Sequence, residues 1–238
     1  MRYELTVGLR YTRARRRNRF IGVNSLVSMI GIAVGVWALI VVLSVMNGFQ
    51  KEVRERILGV ASHVQIVSAS NRLPDWQKIQ ALAAKNPHVR GTAPFVQAQA
   101  MLSAGQSVRG AVVRGILPEQ EATVADLGDK MRMGRLDALK PGEFGVVLGI
   151  DIARALGVVP GDKVALVAPQ GVVTPAGVIP RLKQFTVVGI FEAGISEADA
   201  GLVLIHLQDA QTLYQMGAAV TGVRLKLDDL FQIGRAHA

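Results

Sequence analysis

The sequence predicts an α+β protein built on one long N-terminal helix. The helix first spans a membrane, then extends as a stalk, and an exported domain of short strands and short helices follows. Three observations predict this. Phe20 to Gln50 runs for 31 residues without one Asp, Glu, Lys or Arg. Behind it Phe49, Val53 and Ile57 recur every four residues among Lys51, Glu52, Arg54, Glu55 and Arg56. From Ser62 the period drops to two, as in His63-Val64-Gln65-Ile66-Val67, which marks half-buried strands.

The apolar run exceeds the roughly 20 residues a helix needs to cross a bilayer. A helix is required there because lipid offers the backbone no other hydrogen-bond partner. A cleaved signal peptide has a core of only about 7–15 apolar residues and a small-x-small site. This run is longer and ends in Met46-Asn47-Gly48-Phe49, so it is an uncleaved anchor. Seven arginines against Glu4 precede Phe20, a net of +6, while the charges after Gln50 nearly balance. Positive charge stays in the cytoplasm, so the N-terminus is inside and the main domain outside.

The sequence divides into a basic cytoplasmic segment (1–19), the membrane helix (20–48), its extension (49–62), a core domain (63–232) and a tail (233–238). In the first segment Leu5 and Leu9, and Tyr3 and Val7, lie one helical turn apart. That fits either an amphipathic helix on the membrane surface or a disordered basic tail. Within the span, Ser28, Gly31 and Gly35 form a small-residue face on which another helix can pack closely. A single helix from Arg19 to Gly59 would be about 60 Å long, roughly twice the hydrocarbon thickness.

In the core domain, Pro74, Trp76, Ile79 and Leu82 predict a helix ending at Asn86-Pro87. Phe95–Leu102 and Val108–Ile116 are strands around a turn at Gly105. Pro118–Leu127 is helical and Phe144–Leu148 a strand. Asp151 caps a helix that Gly157 closes, and Pro160-Gly161-Asp162 turns the chain. Val164–Val167 is a strand. A long loop, Ala168 to Lys183, follows with Pro169, Pro175 and Pro180. Phe185–Phe191 and Gly201–Ile205 are strands, Leu207–Tyr214 a helix stopped at Gly217, and Val223–Leu227 a strand. The last residues, Gln232 to His237, continue no pattern and match one reading frame of a common sequencing-adapter oligonucleotide. The frame is therefore expected to be truncated, with an artefactual tail.

Composition excludes several functions. The formal charge is +9, but +6 of it precedes the span and belongs to topology, so nucleic acid is not the partner. There is no Cys, hence no disulfide scaffold and no thiolate site. His63, His88, His206 and His237 fall in different elements, so no metal site is expected. Glu119-Gln120-Glu121 and Asp228-Asp229 read as solvated acid pairs. No phosphate loop or nucleophile elbow occurs. No catalytic residue is expected, and the chain is a binding or coupling component. Its most informative exported feature is the Ala168–Lys183 loop. Three prolines stiffen it, which lowers the entropy cost of docking. It is either a partner-binding arm or a loop folded back on its own domain.

The block Ser44-Val-Met-Asn-Gly-Phe-Gln-Lys-Glu-Val-Arg-Glu-Arg-Ile-Leu-Gly59 resembles the end of the first membrane helix in the LolC/LolE lipoprotein-releasing permeases. Ser28–Gly35, Gly8-Leu-Arg-Tyr11, Gly157–Asp162 and Gln184–Phe191 are similar to the same family. The resemblance covers Met1 to Gln232, about half of such a permease. It implies a MacB-like periplasmic domain, here incomplete, in an inner-membrane ABC transporter of the mechanotransmission type. It further implies a second permease subunit, a LolD-like ATPase partner carrying ATP and magnesium, and a LolA-like periplasmic chaperone that accepts lipoproteins. No cofactor is implied on this chain.

In LolC-type members a loop called the hook binds the chaperone. Thr174, Pro175, Gly177, Val178, Ile179 and Pro180 resemble that pattern, with Arg181 and Lys183 adding charge at the base. The helices that would complete a permease do not follow here. Two alternatives share these features: a MacB-like exporter permease for another substrate, and a single-span periplasmic sensor or scaffold.

Overall fold

The computed structural model describes Tyr3, Val7 and residues 19–60, 64–174 and 177–228. Side chains are described for Tyr3, Val7 and residues 23–50, 64–169 and 180–228. Helix α1, Arg19–Val60, is 42 residues of unbroken helix, about 63 Å at 1.5 Å per residue. Its segment Val23–Gln50 is long and apolar enough to cross a membrane, and the most apolar 18-residue stretch within it has a mean hydropathy of 2.7. The chain forms two compact units, Met1–Glu52 and Val53–Ala238, and their boundary falls inside α1. Helix α1 thus continues past the apolar segment into the second unit, as the four-residue period of Phe49, Val53 and Ile57 requires.

In the second unit, β1 (Val64–Val67) pairs antiparallel with β9 (Gly222–Leu227). Strand β9 pairs with the first half of the 16-residue β2 (Val89–Ala104). Helix α2 (Trp76–Ala83) lies between β1 and β2 in sequence and packs on β2 and β9.

The second half of β2 enters a different sheet. It pairs with β3 (Ser107–Ile116), and β3 pairs parallel with β8 (Leu202–His206). Strand β8 pairs with β5 (Gly145–Gly149), and β5 parallel with β7 (Gly177–Phe191). Strand β7 pairs with β6 (Lys163–Thr174), and β6 returns to β2 through Met101↔Val167, Leu102↔Leu166 and Ser103↔Ala165. The ring β2-β3-β8-β5-β7-β6 is therefore closed. Closure removes the free edges that would recruit other strands. Short β4 (Met131–Gly134) is added on β7.

The pleat explains the packing. Along β5, Val146 and Leu148 join one apolar cluster with Val96, Leu102, Val113, Leu166, Phe185 and Ile205. Val147 faces the other way, into a second cluster with Ile116, Leu127, Phe191 and Leu204. Strands β5 and β8 are buried throughout, which is why they read as continuous apolar runs. Helix α4 (Ile150–Leu156) and helix α6 (Leu207–Leu213) contribute Ile152, Leu156 and Leu213 to the first cluster, and α5 (Ser196–Gly201) contributes Ala198 to the second.

Several expectations are corrected. Asp151 is not a cap: Gly149 occupies that position, and Asp151 pairs with Arg154 at 3.4 Å. Gly157 does close the helix, with φ of 68°, and the Val158 amide donates to the Ala153 carbonyl at 3.0 Å. Strand β4 and helix α5 are too short to show a period and were not expected. The Ala168–Lys183 loop is not a loop but the outer part of a β-hairpin. Glu121, expected to be solvated, is fully buried on α3 (Pro118–Val124).

Candidate functional site

Strands β6 and β7 run past the ring as a two-stranded arm. Its inner ladder pairs Lys163↔Thr186 through Ala168↔Arg181. Its outer ladder pairs Val172↔Ile179, Val173↔Val178 and Thr174↔Gly177. Between them the register shifts, leaving Pro169, Gln170 and Gly171 opposite Pro180 alone. Pro169 and Pro180 both fall in this break. Proline has no N–H to give to a ladder and is tolerated at bulges and edges. Two facing prolines therefore divide the arm into an inner part fixed to the ring and an outer part held by its own pairs.

The hook-pattern residues map onto this arm as follows. Thr174, Gly177, Val178 and Ile179 form the outer ladder. Pro175 lies outside the described residues. Pro180 is exposed in the break. Arg181 and Lys183 belong to the inner ladder, opposite Ala168 and Leu166.

Both cations have partners within the domain. Arg181 Nη2 donates to Gln215 Oε1 at 2.6 Å. Lys183 Nζ sits 4.1 Å from the ring centroid of Phe144, a cation–π contact. That ring meets Phe185 edge-on, with centroids 5.5 Å apart. Between the two cations, Leu182 is exposed. It is the cross-strand neighbour of Val167, which in turn faces exposed Met101. An apolar row thus crosses three strands at the root of the arm.

Beside the root is a cleft lined by Ser70, Asn71, Arg72, Gln97, Gln99, Pro169, Tyr214 and Met216, among others. Arg72 Nη2 donates to the Gln215 carbonyl at 3.2 Å. Tyr214 OH donates to the Gln99 carbonyl at 3.4 Å, and burial pushes its phenol up to about 12. Gln215 holds φ of +51°, rare outside glycine. The sequence carried no signal for Gln215 or Arg72; only the turn after α6 brings them to the arm. Leu182 was detectable as an apolar residue between two cations.

On α1, the Ser28 hydroxyl donates to the Asn24 carbonyl one turn back, at 2.9 Å. Gly31 and Gly35 lie one turn apart, and a Cβ added at either would meet nothing within 4 Å among the described residues. His63 and His237 lie outside the described residues. His88 pairs with Asp228 at 3.1 Å. His206 is buried and its Nδ1 accepts from the Gln208 amide at 3.2 Å. Among the described residues no group of three His, Cys, Asp or Glu converges as a metal site.

The profile of the MacB-like periplasmic core domain matches residues 25–237. The chain belongs to this MacB-like family. Among its relatives, the Neisseria meningitidis serogroup B "lipoprotein-releasing system transmembrane protein LolC" is 49% identical over 226 residues, 95% of this chain and 54% of that protein. The LolC of Xylella fastidiosa (strain Temecula1) is 45% identical over 226 residues, again 95% and 54%. The LolE of Haemophilus influenzae is 34% identical over 230 residues, 94% of this chain and 55% of that protein. This MacB-like chain therefore spans about half the length of the curated relatives it matches. A solved structure of the periplasmic region of MacB from Actinobacillus actinomycetemcomitans covers 70% of this chain, and this chain 67% of it, at 15% identity and a TM-score of 0.44.

Proposed function

We propose that the chain is the N-terminal part of an ABC-transporter permease subunit that releases lipoproteins from the bacterial inner membrane to a soluble periplasmic carrier. The observation that carries this reading is the arm. It is a proline-jointed hairpin on a closed ring, and its outer ladder holds Thr174, Gly177, Val178 and Ile179 of the hook pattern. Relatives named for lipoprotein release support the substrate class.

In this reading the N-terminus is cytoplasmic and the MacB-like domain periplasmic. ATP is hydrolysed on a separate LolD-like subunit, and a second permease subunit packs on the face formed by Gly31 and Gly35. The unbroken helix α1 suits such coupling, because a rigid helix transmits displacement where a flexible linker would absorb it. The carrier docks on the arm, where Thr174, Pro175, Gly177, Val178, Ile179 and Pro180 contact it.

The test is carrier capture by the full-length permease reconstituted with its ATPase. Replacing Pro175 and Ile179 together with Asp is expected to abolish capture of a soluble LolA-like carrier while ATPase activity persists. Undiminished capture by that variant overturns the docking role of the arm.

A further inference from the structure

We infer that Gln215, with Arg72, is a positioning residue that clamps the root of the arm in one orientation. Gln215 receives two guanidinium groups from parts of the chain far apart in sequence. Its side-chain Oε1 accepts from Arg181 Nη2 at 2.6 Å, and its main-chain carbonyl accepts from Arg72 Nη2 at 3.2 Å. Arg181 is the outermost residue of the inner ladder, directly before the proline break. Arg72 lies in the connection after β1, the first strand that follows helix α1. The clamp therefore ties the arm to the connection between β1 and α2.

Two further features show that Gln215 is held in place for this. Its φ of +51° is a left-handed conformation that a non-glycine residue keeps only when its surroundings enforce it. Here the amides of Gln215 and Met216 donate to the Thr212 and Gln211 carbonyls at 3.3 and 2.9 Å, closing the end of α6. Arg181 Nε is buried and has no partner among the described residues, so the bond to Gln215 carries much of what orients that guanidinium. Directly beyond Arg181 the ladder is broken by Pro169 and Pro180. The Ala168↔Arg181 pair is the last rung before that break, and the clamp reinforces it, fixing the strand ends from which the outer part of the arm projects. Its meaning for docking rests on the reading of the preceding section.

The experiment measures arm posture without any carrier. The chain has no Cys, so Thr174→Cys at the arm's outer end and Glu197→Cys on α5 take nitroxide labels cleanly. Double electron–electron resonance then gives the distance distribution in detergent-solubilised full chain. Gln215→Asn keeps a residue that tolerates positive φ but withdraws the acceptor by one methylene. It is expected to broaden the distribution about twofold. Gln215→Glu keeps the acceptor at full reach and is expected to leave it as narrow as the parent. An unchanged width in Gln215→Asn, or equal broadening in both variants, overturns the clamp. Carrier capture is scored separately. If the docking posture falls to a third of the ensemble, apparent affinity drops about threefold. A parent that captures no carrier defeats the docking reading and leaves the clamp to the distance measurement.

Discussion

Glu121 on α3 and Arg224 on β9 form an ion pair sealed from solvent, with Glu121 at 0% and Arg224 at 1% exposure. The Arg224 guanidinium also lies 5.9 Å from the Phe95 ring centroid. Arg114 on β3 stands nearby; burial, then the Arg224 charge, push it down to about 10, while Glu121 pulls it up. The pair ties a helix to the smaller sheet where apolar contacts alone would leave a charge stranded. Removing one partner of such a pair costs about 3–5 kcal/mol, because the other charge stays buried and uncompensated. Glu121→Gln is therefore expected to lower the unfolding free energy of the purified chain by at least about 3 kcal/mol. The double variant Glu121→Leu/Arg224→Met removes both members of the pair and should cost less than the two single changes added together. Additive losses in denaturant titrations would show that the two groups do not act as a pair.

Gly31 and Gly35 leave an open stripe on α1, since a Cβ at either position meets nothing within 4 Å among the described residues. Replacing both with Leu therefore adds apolar surface without internal strain. It also raises helix propensity by about 1 kcal/mol per residue. The variant is expected to keep the helical circular-dichroism signal and thermal midpoint of the parent. Its association in liposomes, read by energy transfer between labelled copies of the permease, should fall about tenfold, because small residues allow the closest helix approach in lipid. Unaltered transfer would remove the stripe from the interface.

The long helix and most strands were legible in the sequence because each rests on a strong local period. The stalk followed from Phe49, Val53 and Ile57, and the buried β5 from an uninterrupted apolar run. The arm was hidden because Pro169 and Pro180 interrupt the alternation where the hairpin crosses its own joint. A sequence window sees breakers, whereas the structure sees a ladder that resumes at Val172↔Ile179. Arg224 was hidden for a different reason. Between Val223 and Leu225 it has the spacing of a solvent-facing strand residue, and only the tertiary packing of α3 places Glu121 against it. Likewise Gln215 belongs to no local pattern; two arginines more than 30 residues away in sequence make it part of the site.

His206 ends β8 and caps α6, its Nδ1 accepting from the Gln208 amide. That role requires the neutral ring, because a protonated imidazole has no acceptor. Burial pushes its pKa below the usual 6.5, and the Asp209 charge only partly opposes this. Below pH 6.5 the unfolded chain therefore binds a proton at this site that the folded chain resists. Stability contributed by His206 is complete above about 6.5 and declines as pH falls through the window down to the lowered folded value. Asp209 works in the opposite sense at lower pH. Burial raises its pKa above 3.8 against the pull of the Gly142 and Phe144 amides, His206 and Lys183. Stability from Asp209 therefore increases as pH falls from its raised folded value toward 3.8. His206→Asn retains a capping acceptor but does not titrate. Between pH 7.5 and 5.5 the parent is expected to lose more thermal stability than this variant, measured by near-ultraviolet circular dichroism in matched ionic strength. Parallel losses in the two proteins would place the pH dependence elsewhere in the domain.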